Sequence, residues 1–547
     1  MAEDSSGPIG LSSAPENGRP TRARTESRCA RRRPGSVLTG VAAGTAALVF
    51  LAAPGPAPSS AASPLPGEPR PAVPSRYVPA PCPAPPQPIA ALRTARCGFL
   101  EAPENRSRPG RRTVRLAVAV IPAKSARPAA DPVVFMAGGP GGDAFDDIPF
   151  LVDSGLNKDR ELIVMAQRGN LYSQPNLACP EMDRFNAQAV GLRYGARSTE
   201  RLLLRAVKEC RDRLTAGGVD LSAYNTAENA ADFADLRKAL GIAQWDVYGY
   251  SYGTDLALTY LRRHPDGIRA VALDSLTPPR TATLPWTWSS AQEGIGTIFE
   301  ACAAEPRCKN RYPDPALTLT QQVRRLEAQP LTLDASPPSG GKPVKVVLDG
   351  GALLDLLVGN ALPAKDVPAA LEELSHGHPE RFAQARAAGS VQDVGAFAHG
   401  LTQSVACSEW APGYSESDVL KAGRRAFPGW PDTVLAQPPQ LPFQYAACRV
   451  WDVPNRASSQ RVATVSSVPA LVVSGTFDTK TGASWARDAA RNLSRSTAVR
   501  IPGIGHWVVP QSPCAQRVLA SFLARPTAPD TGCADGLKPQ PFTITPR

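Results

Sequence analysis

The chain has 547 residues, 43% of them hydrophobic and 20% charged, with a formal charge of +11. That apolar content suffices for a large buried core and excludes a globally disordered chain. The positive balance does not make it a nucleic-acid binder, because its basic residues are scattered and form no aromatic-studded block of the kind that tracks phosphates.

The first segment is basic (Arg19, Arg22, Arg24, Arg28, Arg31, Arg32, Arg33), then apolar from Val37 to Ala53, then rich in small residues and prolines. This is the pattern of an export signal, with a small-residue cleavage site at Ser59-Ser60-Ala61-Ala62, so residues 1–61 are read as a signal peptide. The arginine triplet suits twin-arginine export, although the residues after it match that pattern poorly. An uncleaved anchor is the alternative; no other stretch is long and apolar enough to span a bilayer. Seven arginines against four acidic residues leave with the leader, so about +8 stays on the mature chain. Residues 62–88, dense in Pro, Ala and Ser, read as an extended linker.

Residues 89–276 alternate strand and helix. Val114–Ile121 has strand periodicity, and Pro132–Ala137 is an apolar run ending in Gly138-Gly139-Pro140-Gly141-Gly142. Glu161–Ala166 is a buried-strand candidate closed by Gln167-Arg168-Gly169. Ala227–Leu240 has helical spacing, and Trp245–Tyr248 and Ile268–Leu273 are further strands. This rhythm implies an α/β fold with a mostly parallel sheet covered on both faces. It stops over residues 277–465, which read as helix-rich with Pro-rich joints, and resumes in 466–547 with strands at Pro469–Gly475 and Thr497–Ile501. A helical insertion between late strands is placed to form a cap over the carboxyl ends of the sheet.

Of eleven cysteines, Cys29 lies in the leader. Pairing the other ten in order gives five modest loops, as expected of an exported protein, but spacing does not establish the connectivity. There is no C-x-x-C, and the five histidines are too separate for a zinc site, so neither a metal nor an organic cofactor is expected. The glycine loop lacks both the G-x-G-x-x-G spacing and a P-loop lysine.

The chemistry concentrates at Gly249-Tyr250-Ser251-Tyr252-Gly253, a G-x-S-x-G pentapeptide between a strand and a helix. A serine hydroxyl is a poor nucleophile unless a sharp turn exposes it to a base and to fixed N–H donors, and the two glycines permit that turn. For the base, His506 alone sits in a glycine-flanked loop after a late strand; His264 falls in the helix after the pentapeptide, His376 and His378 in a helix end, and His399 mid-insertion. For the acid, Asp478 follows the preceding strand and completes the order Ser, Asp, His. Asp274 is its rival, and Asp478 has the alternative role of capping a helix near Thr481. The oxyanion donors expected are the N–H groups of Tyr252 and Gly139, since Pro140 has none.

Cys97-Gly98, Pro103-Glu104-Asn105-Arg106, the glycine loop, Gln167-Arg168-Gly169, the serine pentapeptide, Asp478 and His506 together resemble the secreted tripeptidyl aminopeptidase and proline iminopeptidase family of α/β-hydrolases, over roughly residues 90–540. Cys407-Ser408-Glu409, Cys448-Arg449-Val450-Trp451 and the Cys514–Cys533 tail are similar to its tripeptidyl aminopeptidase-like C-terminal region. The chain departs from the family pattern at Ala166, where Asp is usual, at Asn170–Ser173, which lacks the second glycine, and after Asp478, where Thr479-Lys480-Thr481 lacks the usual proline.

The resemblance implies a serine aminopeptidase, secreted or cell-envelope associated. Its cap would carry an acidic group for the free amino terminus, for which Glu409 is the candidate, with surface charge beside a disulfide as the alternative. The substrate would be a peptide or a small ester. An esterase or lipase with the same triad, and a non-catalytic binding protein on a hydrolase scaffold, are the competing readings. Trp286, Trp288, Trp410 and Trp451 are candidates for an apolar pocket or for packing alone. Oligomeric state is left open.

Overall fold

A computed structural model describes residues 74–108, 112–281, 283–391 and 394–546. The expected signal peptide and the start of the linker lie outside these residues. Eleven strands are present among them: β1 (Arg76–Pro79), β2 (Arg96–Pro103), β3 (Thr113–Ile121), β4 (Val133–Met136), β5 (Leu162–Met165), β6 (Trp245–Tyr250), β7 (Ile268–Asp274), β8 (Leu331–Ala335), β9 (Val344–Leu348), β10 (Ala470–Gly475) and β11 (Ser496–Ile501). Nine form one sheet in the order β1-β2-β3-β5-β4-β6-β7-β10-β11. Pairing is antiparallel from β1 to β5 and parallel from β5 through β11.

β4, β5 and β10 are buried at every residue, because helices cover both faces of the sheet. Phe135, Tyr248, Leu471 and Val473 pack on one side with Val518 and Phe522 of the helix Pro513–Ala524. Val134, Met136, Val247 and Leu273 pack on the other with Phe233 and Leu236 of the helix Thr226–Ala239 and with Leu256 and Tyr260 of the helix Tyr252–Arg263. Helix Thr226–Ala239 starts where it does because the Asn225 side chain accepts the Glu228 N–H at 3.0 Å.

Between β7 and β10 the chain leaves the sheet and builds a largely helical cap with its own core around Trp288, Phe382 and Leu353. Three features differ from the sequence reading. The insertion contains a hairpin, β8–β9, whose Val346 packs on Ala383 and Ala387. In addition, helix Arg197–Ala216, drawn from the segment read as core, packs Leu203, Val207 and Leu214 against Leu401, Val405 and Trp451 of the cap. Within the stretch read as linker, Arg76–Pro79 forms the edge strand, held by pairing with Phe99 to Glu101 and by the Cys82–Cys97 disulfide that follows it.

The ten cysteines pair in sequence order: Cys82–Cys97, Cys179–Cys210, Cys302–Cys308, Cys407–Cys448 and Cys514–Cys533. Glu181 stands beside Cys179 and Cys210, but their sulfurs are bonded to each other and Glu181 is held by Arg213 at 2.7 Å. Among the described residues no helix is long and apolar enough to cross a membrane.

Arg168 of the Gln-Arg-Gly turn is fully buried and bonds Asp232 through Nε at 2.7 Å and Nη2 at 2.8 Å, and the Ala223 carbonyl at 2.8 Å. It ties the β5 turn to helix Thr226–Ala239. Breaking a buried pair leaves an uncompensated charge, so Arg168→Met is expected to cost about 3 kcal/mol or more, read from denaturant unfolding.

Candidate active site

The turn from β6 into helix Tyr252–Arg263 places Ser251 at φ 53° and ψ −127°, a sparsely populated conformation. Its surroundings impose it. A β-carbon on Gly249 would lie 2.4 Å from the Gly253 carbonyl oxygen, and one on Gly253 would lie 2.0 Å from the Met136 carbonyl oxygen. The Ser251 N–H donates to the Asp274 carbonyl at 3.0 Å, fixing the turn to the end of β7.

His506 lies in the loop after β11, and its Nδ1 is 2.9 Å from Asp478 Oδ2 and 3.1 Å from Oδ1. Asp478 is buried, and its Oδ1 also accepts the N–H groups of Lys480 and Thr481, each at 2.9 Å. The Thr481 hydroxyl donates to Asp478 Oδ2 at 2.6 Å and sits 3.3 Å from His506 Nδ1. Burial opposes the charge on Asp478, but the histidine and threonine contacts outweigh it and hold the carboxyl below its ordinary range. The helix that Asp478 was alternatively expected to cap starts only at Ala483, with Gly482 at its N-cap and no side-chain cap, so Asp478 meets His506 and the turn before that helix.

Asp274 is turned away from His506. It accepts the N–H groups of Val508 at 2.9 Å and Val509 at 2.8 Å and the Tyr248 hydroxyl at 3.1 Å. Ser275 Oγ accepts the Trp507 N–H at 2.9 Å, and the Trp507 ring stacks on Tyr250 with centroids 4.3 Å apart. The rival carboxylate therefore anchors the histidine loop from behind.

Ser251 and His506 line one cavity of about 480 Å³ with Gly139 and Tyr252, and with Phe397, Trp410 and Leu441 of the cap. The serine hydroxyl and the imidazole are not hydrogen-bonded to each other here; such contacts often tighten only around a substrate. The Tyr252 N–H, first in its helix, has no intrahelical acceptor. The glycine loop carrying Gly139 is braced by Gln167 Nε2 on the Ala137 carbonyl at 2.9 Å and by Asn170 Nδ2 on the Gly142 carbonyl at 2.6 Å. It is also joined to the cap by the Ala398 N–H on the Gly141 carbonyl at 3.0 Å and by the Thr402 hydroxyl on the Pro140 carbonyl.

Glu409 corrects the sequence reading. It is buried in a short π-helical turn, Ala406–Trp410, off the cavity wall, and neither free for an ammonium nor at the surface. Its carboxylate accepts the Thr226 N–H at 2.8 Å and hydroxyl at 2.6 Å, and Thr226 Oγ1 lies 3.0 Å from the Tyr252 hydroxyl. Of the tryptophans considered, Trp410 lines the cavity, Trp288 and Trp451 are core, and Trp286 is exposed outside it; Trp485, not singled out, also lines it. The sequence reading also missed the bridging Thr481, which no spacing rule marks.

A strained serine at a strand-to-helix turn, and a histidine–aspartate pair on the loops after β10 and β11, define a serine hydrolase on an α/β-hydrolase fold. Residues 131–300 match the alpha/beta hydrolase fold family and residues 439–534 the TAP-like protein family. The chain is 25% identical over 466 residues to serine protease Hip1 of Mycobacterium tuberculosis, covering 80% of this chain and 86% of that one. It is 31% identical over 230 residues to carboxylesterase B of the same organism (40% and 43%) and 36% identical over 80 residues to proline iminopeptidase of Xylella fastidiosa (15% and 25%). The chain has the alpha/beta hydrolase fold, and its C-terminal part is similar to the TAP-like proteins.

Burial pushes the Glu409 carboxyl up to about 7 against the opposing Thr226 bonds. The unfolded chain therefore loses that proton first, and stability falls as pH rises from about 4.5 to about 7, then levels, by about 3 kcal/mol in all. Glu409→Gln is expected to remove this component, read from unfolding midpoints across that pH range.

Proposed function

We propose that this chain is an exported serine peptidase that removes single residues or short peptides from free amino termini through an acyl-enzyme on Ser251. The observation that carries the reading is the His506–Asp478–Thr481 network opening, beside Ser251, onto a cavity that the cap helps to line. In this reading Ser251 Oγ attacks the scissile carbonyl and its proton passes to His506 Nε2. Asp478 holds Nδ1–H, and the N–H groups of Tyr252 and Gly139 receive the oxyanion. Collapse expels the amine with the proton from His506; a water then gives its proton to His506 and cleaves the acyl-enzyme.

The names of two relatives, a serine protease and a proline iminopeptidase, support action on peptides. A cavity of about 480 Å³ lies in the usual range for small-ligand sites and suits a short acyl group. Five disulfides suit folding in an oxidising compartment, in keeping with export. A second reading, an esterase with the same triad, is favoured by one observation: no carboxylate is among the described residues that line the cavity, so an incoming ammonium meets only neutral acceptors such as the Thr277 and Thr283 hydroxyls and the Gln440 amide.

A fluorophosphonate probe is expected to label the native protein and not Ser251→Ala; absence of labelling removes both readings in favour of a binding protein. Asp478→Asn is expected to lower kcat about 10⁴-fold. Thr481→Val, losing one hydrogen bond to that carboxylate, is expected to lower it about tenfold with KM little changed. Tripeptide anilides with a free amino terminus are expected to be hydrolysed at least about tenfold faster than their acetylated forms. Equal rates on the two, with faster turnover of simple esters, would establish the esterase.

A further inference from the structure

The cavity wall carries one lysine. Lys480 lines it two residues beyond Asp478, and the Lys480 backbone N–H is bonded to that carboxylate at 2.9 Å, so the side chain leaves from a fixed point next to the histidine. The ammonium has no ion-pair or hydrogen-bond partner among the described residues. The nearby acids are engaged elsewhere: Asp478 with His506 and Thr481, and Asp355 with the Tyr194 hydroxyl at 3.1 Å and Gln440 Nε2 at 3.0 Å. Burial lowers the Lys480 pKa, and the two carboxylates only partly offset it through space. A half-buried charge without a partner gains from any anion that reaches it and repels a second cation.

We propose that Lys480 is a specificity-determining residue that receives an anionic group on the acyl part of the substrate, an acidic side chain or the free carboxylate of a dicarboxylic half-ester. The proposal rests on Ser251 being the acylated residue but on neither the peptidase nor the esterase reading. It also orients a peptide: Lys480 repels the amino terminus and draws the acidic group toward it. A carboxylate on a lysine in a partly desolvated pocket is worth about tenfold in affinity or rate.

The test compares the p-nitrophenyl half-ester of glutaric acid with the matching glutaramate ester, which differs only in carboxamide for carboxylate. The kcat/KM ratio is expected to favour the acid about tenfold, to fall to about one or below in Lys480→Met, and to be kept in Lys480→Arg. Binding of the same two esters to Ser251→Ala, by calorimetry, gives a readout that needs no turnover. The acid is expected to bind about tenfold tighter, and Ser251→Ala/Lys480→Met to bind the two alike. Equal treatment of the two esters, or a preference for the acid that survives Lys480→Met, overturns the proposal. Preferential binding of the acid by a protein that the fluorophosphonate fails to label sinks the hydrolase reading and leaves Lys480 as an anion-binding residue.

Discussion

The helix after Ser251 lies so close to β4 that a β-carbon at Gly253 would sit 2.0 Å from the Met136 carbonyl oxygen, and the rest of the site is arranged around that approach. With the helix pressed against the strand, the connecting residue has no relaxed path, and Ser251 takes a positive φ that costs on the order of 1–3 kcal/mol. The sheet supplies it: β4, β6 and β7 are adjacent, parallel and buried on both faces, and Asp274 at the end of β7 takes the serine N–H through its carbonyl. Strain at one residue is thus held by the packing of three strands and two helices.

The same edge of the sheet explains how two buried aspartates take different tasks. Asp274, on β7, satisfies two amides of the histidine loop, so that loop is held from beneath. Asp478, one strand further out, keeps a lone pair for His506 while its remaining capacity is filled by Thr481 and two backbone amides. A carboxylate with that many donors stays ionised despite burial.

Much of this was legible in the residues. The parallel strands were, because a strand buried on both faces is a continuous apolar run, as in Leu162–Met165. The elbow was, because only glycine tolerates the contacts at positions 249 and 253. Order along the chain favoured Asp478 over Asp274, and Asp478 is the one that meets His506, though for want of the hydrogen bonds it could not say what Asp274 does. The β8–β9 hairpin was hidden because a short pair on the cap surface, reading intermediate–exposed–intermediate–exposed along Leu331–Asp334, leaves little apolar signal. Glu409 misled for a physical reason: a lone acid beside a cysteine looks like a surface charge or a receptor, and only the fold brings it to the unsatisfied amide of Thr226, more than 180 residues away.

That contact bears on how the cap works. Glu409 belongs to the cap and Thr226 to a core helix, and Thr226 Oγ1 in turn meets the hydroxyl of Tyr252, the residue after Ser251. On the opposite wall Ala398 and Thr402 bond the carbonyls of Gly141 and Pro140 in the glycine loop. The cap is therefore joined to both segments that would supply oxyanion donors, and Cys407–Cys448 closes the stretch that carries Glu409 onto helix Gln444–Trp451. A roof bonded to the floor in this way holds the cap and the two loops beneath it in one fixed arrangement. Lys480 is rooted instead in the loop after β10, beside Asp478, so the charged residue of the cavity wall belongs to the core and not to the roof.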